Sequence, residues 1–135
     1  MNENPSVETT IRVRYAETDQ MGVAHHANYF VWFEAARSEF CRVHGVDYRS
    51  MENDGLFLPV VEARCRYRVP ARYDDEIVVS VKVEERTRRT LRLSYFVTKG
   101  AVQIAEGQTT QLLIDRNRKP RTFPEDVAQR FDSAP

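Results

Sequence analysis

The chain has 135 residues, 41% hydrophobic and 30% charged, which suits one domain with a single core. Twenty basic residues offset twenty acidic ones, which excludes the cationic excess that draws proteins to nucleic acids or membranes and leaves little repulsion against self-association. No apolar run nears the ~20 residues of a membrane span and the N-terminus lacks the apolar stretch of a secretory signal, so the expected location is cytoplasmic, with Cys41 and Cys65 as reduced thiols.

Residues 1–8 are polar and read as a loose lead-in. Residues 10–15 alternate, with Ile11, Val13 and Tyr15 on one face, and predict a half-buried strand. Residues 17–23 break the alternation at a turn marked by Gly22. From Asn28 the period becomes helical: Tyr29, Phe33, Ala36, Phe40 and Val43 form a stripe that Trp32 widens, and Gly45 ends it. Such a helix of about 17 residues spans ~25 Å. Its aromatic stripe needs a broad apolar partner, and an antiparallel sheet provides one.

Residues 46–55 read as irregular or as a short helical turn. Four strand-like runs follow. Residues 56–69 set Val61, Ala63, Cys65, Tyr67 and Val69 on one face; residues 77–85, 91–98 and 102–114 alternate likewise, with a bend expected near Gly107. Short connections between these later runs imply antiparallel pairing. Residues 116–135 form a basic, proline-marked tail in which 125–131 predicts a short helix. The whole reads as one α+β domain over 1–135. One helix cannot cover both faces of five strands, so a dimer is expected to bury what is left.

Asp19 stands in the turn just before the helix. There a carboxylate can attack an electrophile or activate a water, beside helix N–H groups able to hold an oxyanion. A turn-capping role for Asp19 is the alternative. His25 and His26 are adjacent, so in regular structure they would point in different directions, and one of them is expected at a substrate. Without HxxxH or a Cys/His cluster they predict no metal site. Glu34, Arg37 and Ser38 share a helical face, the spacing of a structural ion pair. Basic residues cluster at Arg64, Arg66 and Arg68; around Arg86, Arg88, Arg89 and Arg92; and from Arg116 to Arg121. Each cluster reads as a solvated face, or two together as a polyphosphate site. Neither a Gly-rich phosphate loop nor a GxSxG elbow is present.

The run Tyr15-Ala16-Glu17-Thr18-Asp19-Gln20-Met21-Gly22-Val23, followed by His26, Asn28-Tyr29 and Glu34-Ala35-Ala36-Arg37, resembles the hotdog-fold acyl-CoA thioesterases of the 4-hydroxybenzoyl-CoA thioesterase / YbgC-like group. The likeness continues through 59–62 and 67–75 and covers about residues 10–115. It implies a hotdog fold, a five-stranded antiparallel sheet wrapped around one long helix, in homo-oligomers (dimers or tetramers) with active sites at the dimer interface. By the same resemblance Asp19 matches the catalytic carboxylate, and His26 the position whose backbone N–H holds the thioester carbonyl. Thr90 matches a hydroxyl near the acyl thioester, and Val60 and Glu62 lie on a strand lining the site. His25 and Tyr29 are further substrate-binding candidates, and Arg88, Arg89, Arg118 and Lys119 are candidates for the CoA phosphates. His25 stands where many members carry an aromatic residue, which bears on acyl preference. The implied substrate is an acyl-CoA, cut to acid and CoA without cofactor or metal. Two alternatives are a non-catalytic module binding acyl-CoA or acyl-carrier protein, and an enoyl-CoA hydratase, whose Asn-Pro between acid and histidine is missing.

Overall fold

Alternating apolar residues build five strands: β1 (Val7–Arg12), β2 (Val60–Tyr67), β3 (Glu76–Arg86), β4 (Thr90–Lys99) and β5 (Val102–Leu112). They form one antiparallel sheet of order β1-β3-β4-β5-β2 in a computed structural model that describes residues 5–134. Three helices accompany it: α1 (Asn28–Val43), α2 (Tyr48–Asn53) and α3 (Glu125–Asp132). Among the described residues no helix is long and apolar enough to cross a membrane.

The core lies between α1 and the two central strands. Val79 pairs with Val97 and Val81 with Tyr95, all fully buried, and Phe33, Ala36 and Phe40 of α1 are equally closed off. Phe33 stacks on Tyr95 with ring centroids 4.3 Å apart. Each of these valine and phenylalanine side chains contributes roughly 1.5–3 kcal/mol by burial. Gly107 makes the helix approach possible: a Cβ there would sit 2.5 Å from the Phe33 ring and 2.7 Å from the Arg64 carbonyl oxygen. The expected bend is thus a point of close packing inside a continuous β5.

The first strand begins three residues earlier than the alternation suggested. Val7 is buried and pairs with Val81, so part of the predicted lead-in is strand; residues 1–4 lie outside the described residues. Tyr15, expected on the buried face, is exposed. It opens a 3-10 turn over Tyr15–Glu17, held because the Arg14 N–H donates to Glu17 Oε1 at 2.8 Å, which draws the chain out of the ladder. Val43 is likewise exposed, and Cys41 takes a buried place on the helix instead. Gly45 ends α1 at a φ of 74°, as its position predicts. α3 packs Val127 and Phe131 inward and is tied to β3 by a fork from Arg86 to Asp132. Both cysteines are free, Cys41 buried and Cys65 half-buried.

β2 departs most from expectation. Its supposed inner face is largely open, with Val61 58% and Tyr67 43% exposed. β2 pairs only with β5, so its other edge carries unpaired backbone groups beside apolar side chains.

Candidate active site

Asp19 sits in a turn that its own atoms close. Its N–H donates to the Val23 carbonyl, its carbonyl accepts from Gly22, and Oδ1 accepts from the Met21 N–H at 2.8 Å. Gly22 takes a φ of 78°, which the turn demands. The side chain is exposed, and among the described residues Oδ2 accepts no hydrogen bond. One oxygen therefore anchors the turn while the other faces solvent.

Glu17 joins this turn to α1, a role the sequence reading missed. Its carboxylate is buried and accepts from the Arg14 N–H and from Trp32 Nε1, while its carbonyl accepts from the His25 N–H and Asn28 Nδ2. Burial alone would raise its pKa, but the donors of Arg14 and Trp32 outweigh burial and hold the carboxyl below the usual range. The available signal was Trp32, the only tryptophan in the chain, whose buried indole N–H needs an acceptor.

His25 and His26 do not diverge as adjacent residues in regular structure would. Their rings stack with centroids 4.3 Å apart, because this stretch is a turn and the Ala27 N–H donates to His25 Nδ1. The His26 carbonyl accepts from the Tyr67 hydroxyl at 3.0 Å. The His26 N–H donates to no acceptor among the described residues. Tyr29 is a core residue, packed edge-on against Tyr67, and its hydroxyl accepts from the Ala71 N–H.

The other predicted residues lie at the opposite end of the sheet. The Asp19 turn borders the start of β3, since Val23 bridges to Arg72 and Val13 bonds to Asp75. Thr90 and the Arg88-Arg89 loop follow the end of β3, whose 11 residues span ~33 Å. The Thr90 hydroxyl is engaged with Thr87 Oγ1 and closes the β3–β4 connection. Arg118 and Lys119 share this end, because the Arg89 carbonyl accepts from Leu113 and the Asp115 turn follows directly. No ion pair engages Arg88, Arg89, Arg118 or Lys119 among the described residues. Glu62 pairs with Thr110, and Thr110 with Arg92, on the face turned from α1, and it is not among the residues that line the cavity beside Val60.

Val60 does border an open cavity of about 920 Å³. α1 supplies Glu34, Arg37 and Ser38 to it, the segment around Pro59 an apolar wall, and the chain after β5 Arg116 and Arg118. Asp19 and the two histidines are not among its walls. No group of three His, Cys, Asp or Glu residues among those described is placed to hold a metal ion.

Comparison with known proteins finds relatives of the whole chain. A Thermus thermophilus structure described only as a hypothetical protein superposes with a TM-score of 0.88 at 39% identity, covering 96% of this chain and 98% of that one. The DHNA-CoA thioesterase from Staphylococcus aureus superposes with a TM-score of 0.90 at 30% identity, covering 94% and 89%. The acyl-CoA thioesterase YbgC of Haemophilus influenzae is 28% identical over 123 residues, 90% of each chain. Residues 13–131 match the family model of the thioesterase-like superfamily, and the chain belongs to that family.

Proposed function

We propose that this chain is an acyl-CoA thioesterase whose site forms where the Asp19 turn of one protomer meets the cavity end of its partner. One observation carries this reading: within a single chain the Asp19 turn and the end holding Thr90, Arg88, Arg89 and Arg118 lie a strand's length apart. A two-fold pairing of the open β2 edge runs antiparallel, so it sets Tyr67 of one protomer beside Val60 of the other. Tyr67 is bonded to His26 and Val60 borders the cavity, so this pairing brings the two halves together. The names of the similar thioesterases support the substrate class.

Asp19 Oδ2 then faces the thioester, acting on its carbonyl carbon directly or through a water whose proton it takes. The free His26 N–H at the entrance to α1 donates to the oxygen that becomes negative. The C–S bond breaks, the sulfur leaves with the proton, and the products are the acid and CoA. Water is the only co-substrate. Arg88, Arg89, Arg118 and Lys119 offer donors to the CoA phosphates. The neutral overall charge and the reduced thiols suit a cytoplasmic enzyme.

The test is thiol release from a panel of acyl-CoAs by wild type and Asp19→Asn. The amide keeps the Oδ1 acceptor for Met21, so the turn survives while the acid is lost. The rate is expected to fall on the order of 10²–10⁴-fold. Equal rates for the two proteins overturn the reading.

A further inference from the structure

Glu34, Arg37 and Ser38 read from their spacing as a structural ion pair on a helix face, but the structure gives Arg37 another setting. No carboxylate lies within ion-pair distance of it; its one hydrogen bond among the described residues runs from Nη1 to the Tyr95 hydroxyl at 3.1 Å. From there a polar chain runs into the core: Thr109 donates its one hydroxyl proton to Gln111 Oε1 at 3.2 Å, so across the 2.6 Å between the Tyr95 hydroxyl and Thr109 Oγ1 it is Tyr95 that donates. Gln111 is fully buried and its Nε2 has no partner. Each hydroxyl proton points inward along this chain, so Tyr95 presents only a lone pair to Arg37 and fixes the guanidinium from behind. The remaining N–H groups of Arg37 are left at the cavity that this residue lines.

Charged residues of both signs surround the cavity. Arg37, Arg116 and Arg118 line it against Glu34, Glu52 and Asp115. Asp115 already accepts from Arg121 and from the N–H groups of Asn117 and Lys119, Arg116 donates to the Asn53 carbonyl, and Arg118 is kept for the CoA phosphates, which leaves Arg37 as the guanidinium open to the acyl group. Glu34 acts on Arg37 only through space, so this half-buried guanidinium has lost hydration without gaining a hydrogen-bonded carboxylate, and an incoming carboxylate would replace that hydration with a forked pair. The facing wall, from Phe57 to Val60, is apolar and suits an alkyl stem.

Resting on the thioesterase reading, we propose that Arg37 is a specificity-determining residue that receives a carboxylate at the far end of the acyl group, so that CoA monothioesters of dicarboxylic acids are preferred substrates. The apolar wall holds the stem, Arg37 holds the distal carboxylate, and the thioester lies toward the Asp19 turn of the partner protomer.

The test uses the full-length dimer carrying Asp19→Asn, with succinyl-, glutaryl- and adipyl-CoA each compared with its methyl ester by calorimetry. The best of the three acids is expected to bind at least tenfold more tightly than its ester. Arg37→Met is expected to erase that difference, and Arg37→Lys, which keeps the charge but loses the fork, to retain part of it. Arg37→Lys decides the matter if circular dichroism shows that Arg37→Met is unfolded. Equal binding of acid and ester, or a difference that survives loss of the fork undiminished, overturns the proposal. So does 5-hydroxypentanoyl-CoA binding as tightly as glutaryl-CoA, because the site then reads a neutral oxygen. Hydrolysis by the Asp19→Asn protein overturns the thioesterase mechanism instead, and the acid-to-ester ratio of kcat/KM then tests Arg37 by itself.

Discussion

Trp32 Nε1 donates a hydrogen bond of 2.9 Å to Oε2 of Glu17, and that bond joins the first turns of α1 to the loop carrying Asp19. Glu17→Ala leaves the buried Trp32 indole N–H and the Arg14 backbone N–H without an acceptor. It is expected to cost about 3 kcal/mol in urea unfolding, and an unchanged midpoint would show that the bond does not hold the turn. The pH dependence has a definite sign. The folded carboxyl is held below its unfolded value of 4.5, so its contribution is complete above that pH and drains away as pH falls through the lower folded value. Glu17→Gln, which does not titrate, is expected to lose less stability than wild type on acidification below about pH 4.5.

Gly107→Ala tests the approach of α1 to the sheet. Its new methyl meets the Phe33 ring on one side and backbone oxygen on the other, and the backbone has nowhere to go. Overpacking of this kind costs about 2 kcal/mol. Thermal unfolding by circular dichroism is the measurement, and a Tm equal to wild type would contradict the packing described.

Val61→Asp places a charge on the open apolar edge of β2. Light scattering after gel filtration is expected to report a monomer, and thiol release is expected to fall with the dimer. A dimer that persists at full strength would move the interface elsewhere.

Mixing Asp19→Asn with Arg88→Ala/Arg89→Ala protein separates one-chain sites from two-chain sites. When each site draws on both protomers, half the dimers after exchange are mixed and each has one undamaged site of two. Activity is then expected to return to about a quarter of wild type, by the two-fold arrangement. No gain over the unmixed proteins would place each site within one chain.

Most of the scaffold was legible because its signals are local. The α1 stripe, the stop at Gly45 and the later hairpins all follow from periodicity and turn residues. The start of β1 was misplaced because Tyr15 continues the alternation in sequence while Glu17 bends the chain away. β2 reads as a buried strand, since apolar alternation reports which side chains seek cover and says nothing of whether this chain or another supplies it. Asp19 and Thr90 were grouped by resemblance, yet no property of one chain reveals that a strand's length separates them. The stacking of the two histidines arises from a non-repeating turn, where no periodicity applies.

Tyr67 belongs to two surfaces at once: its ring lies on the open edge of β2 and its hydroxyl grips the His26 carbonyl. In the proposed dimer, the residue whose N–H is offered to the substrate would be held, through its carbonyl, by a side chain that also meets the neighbouring protomer. In evolutionary terms this restricts drift. If that dimer forms, a lineage could not reshape how it assembles without also retuning its catalysis, and quaternary structure and turnover would be inherited as one trait.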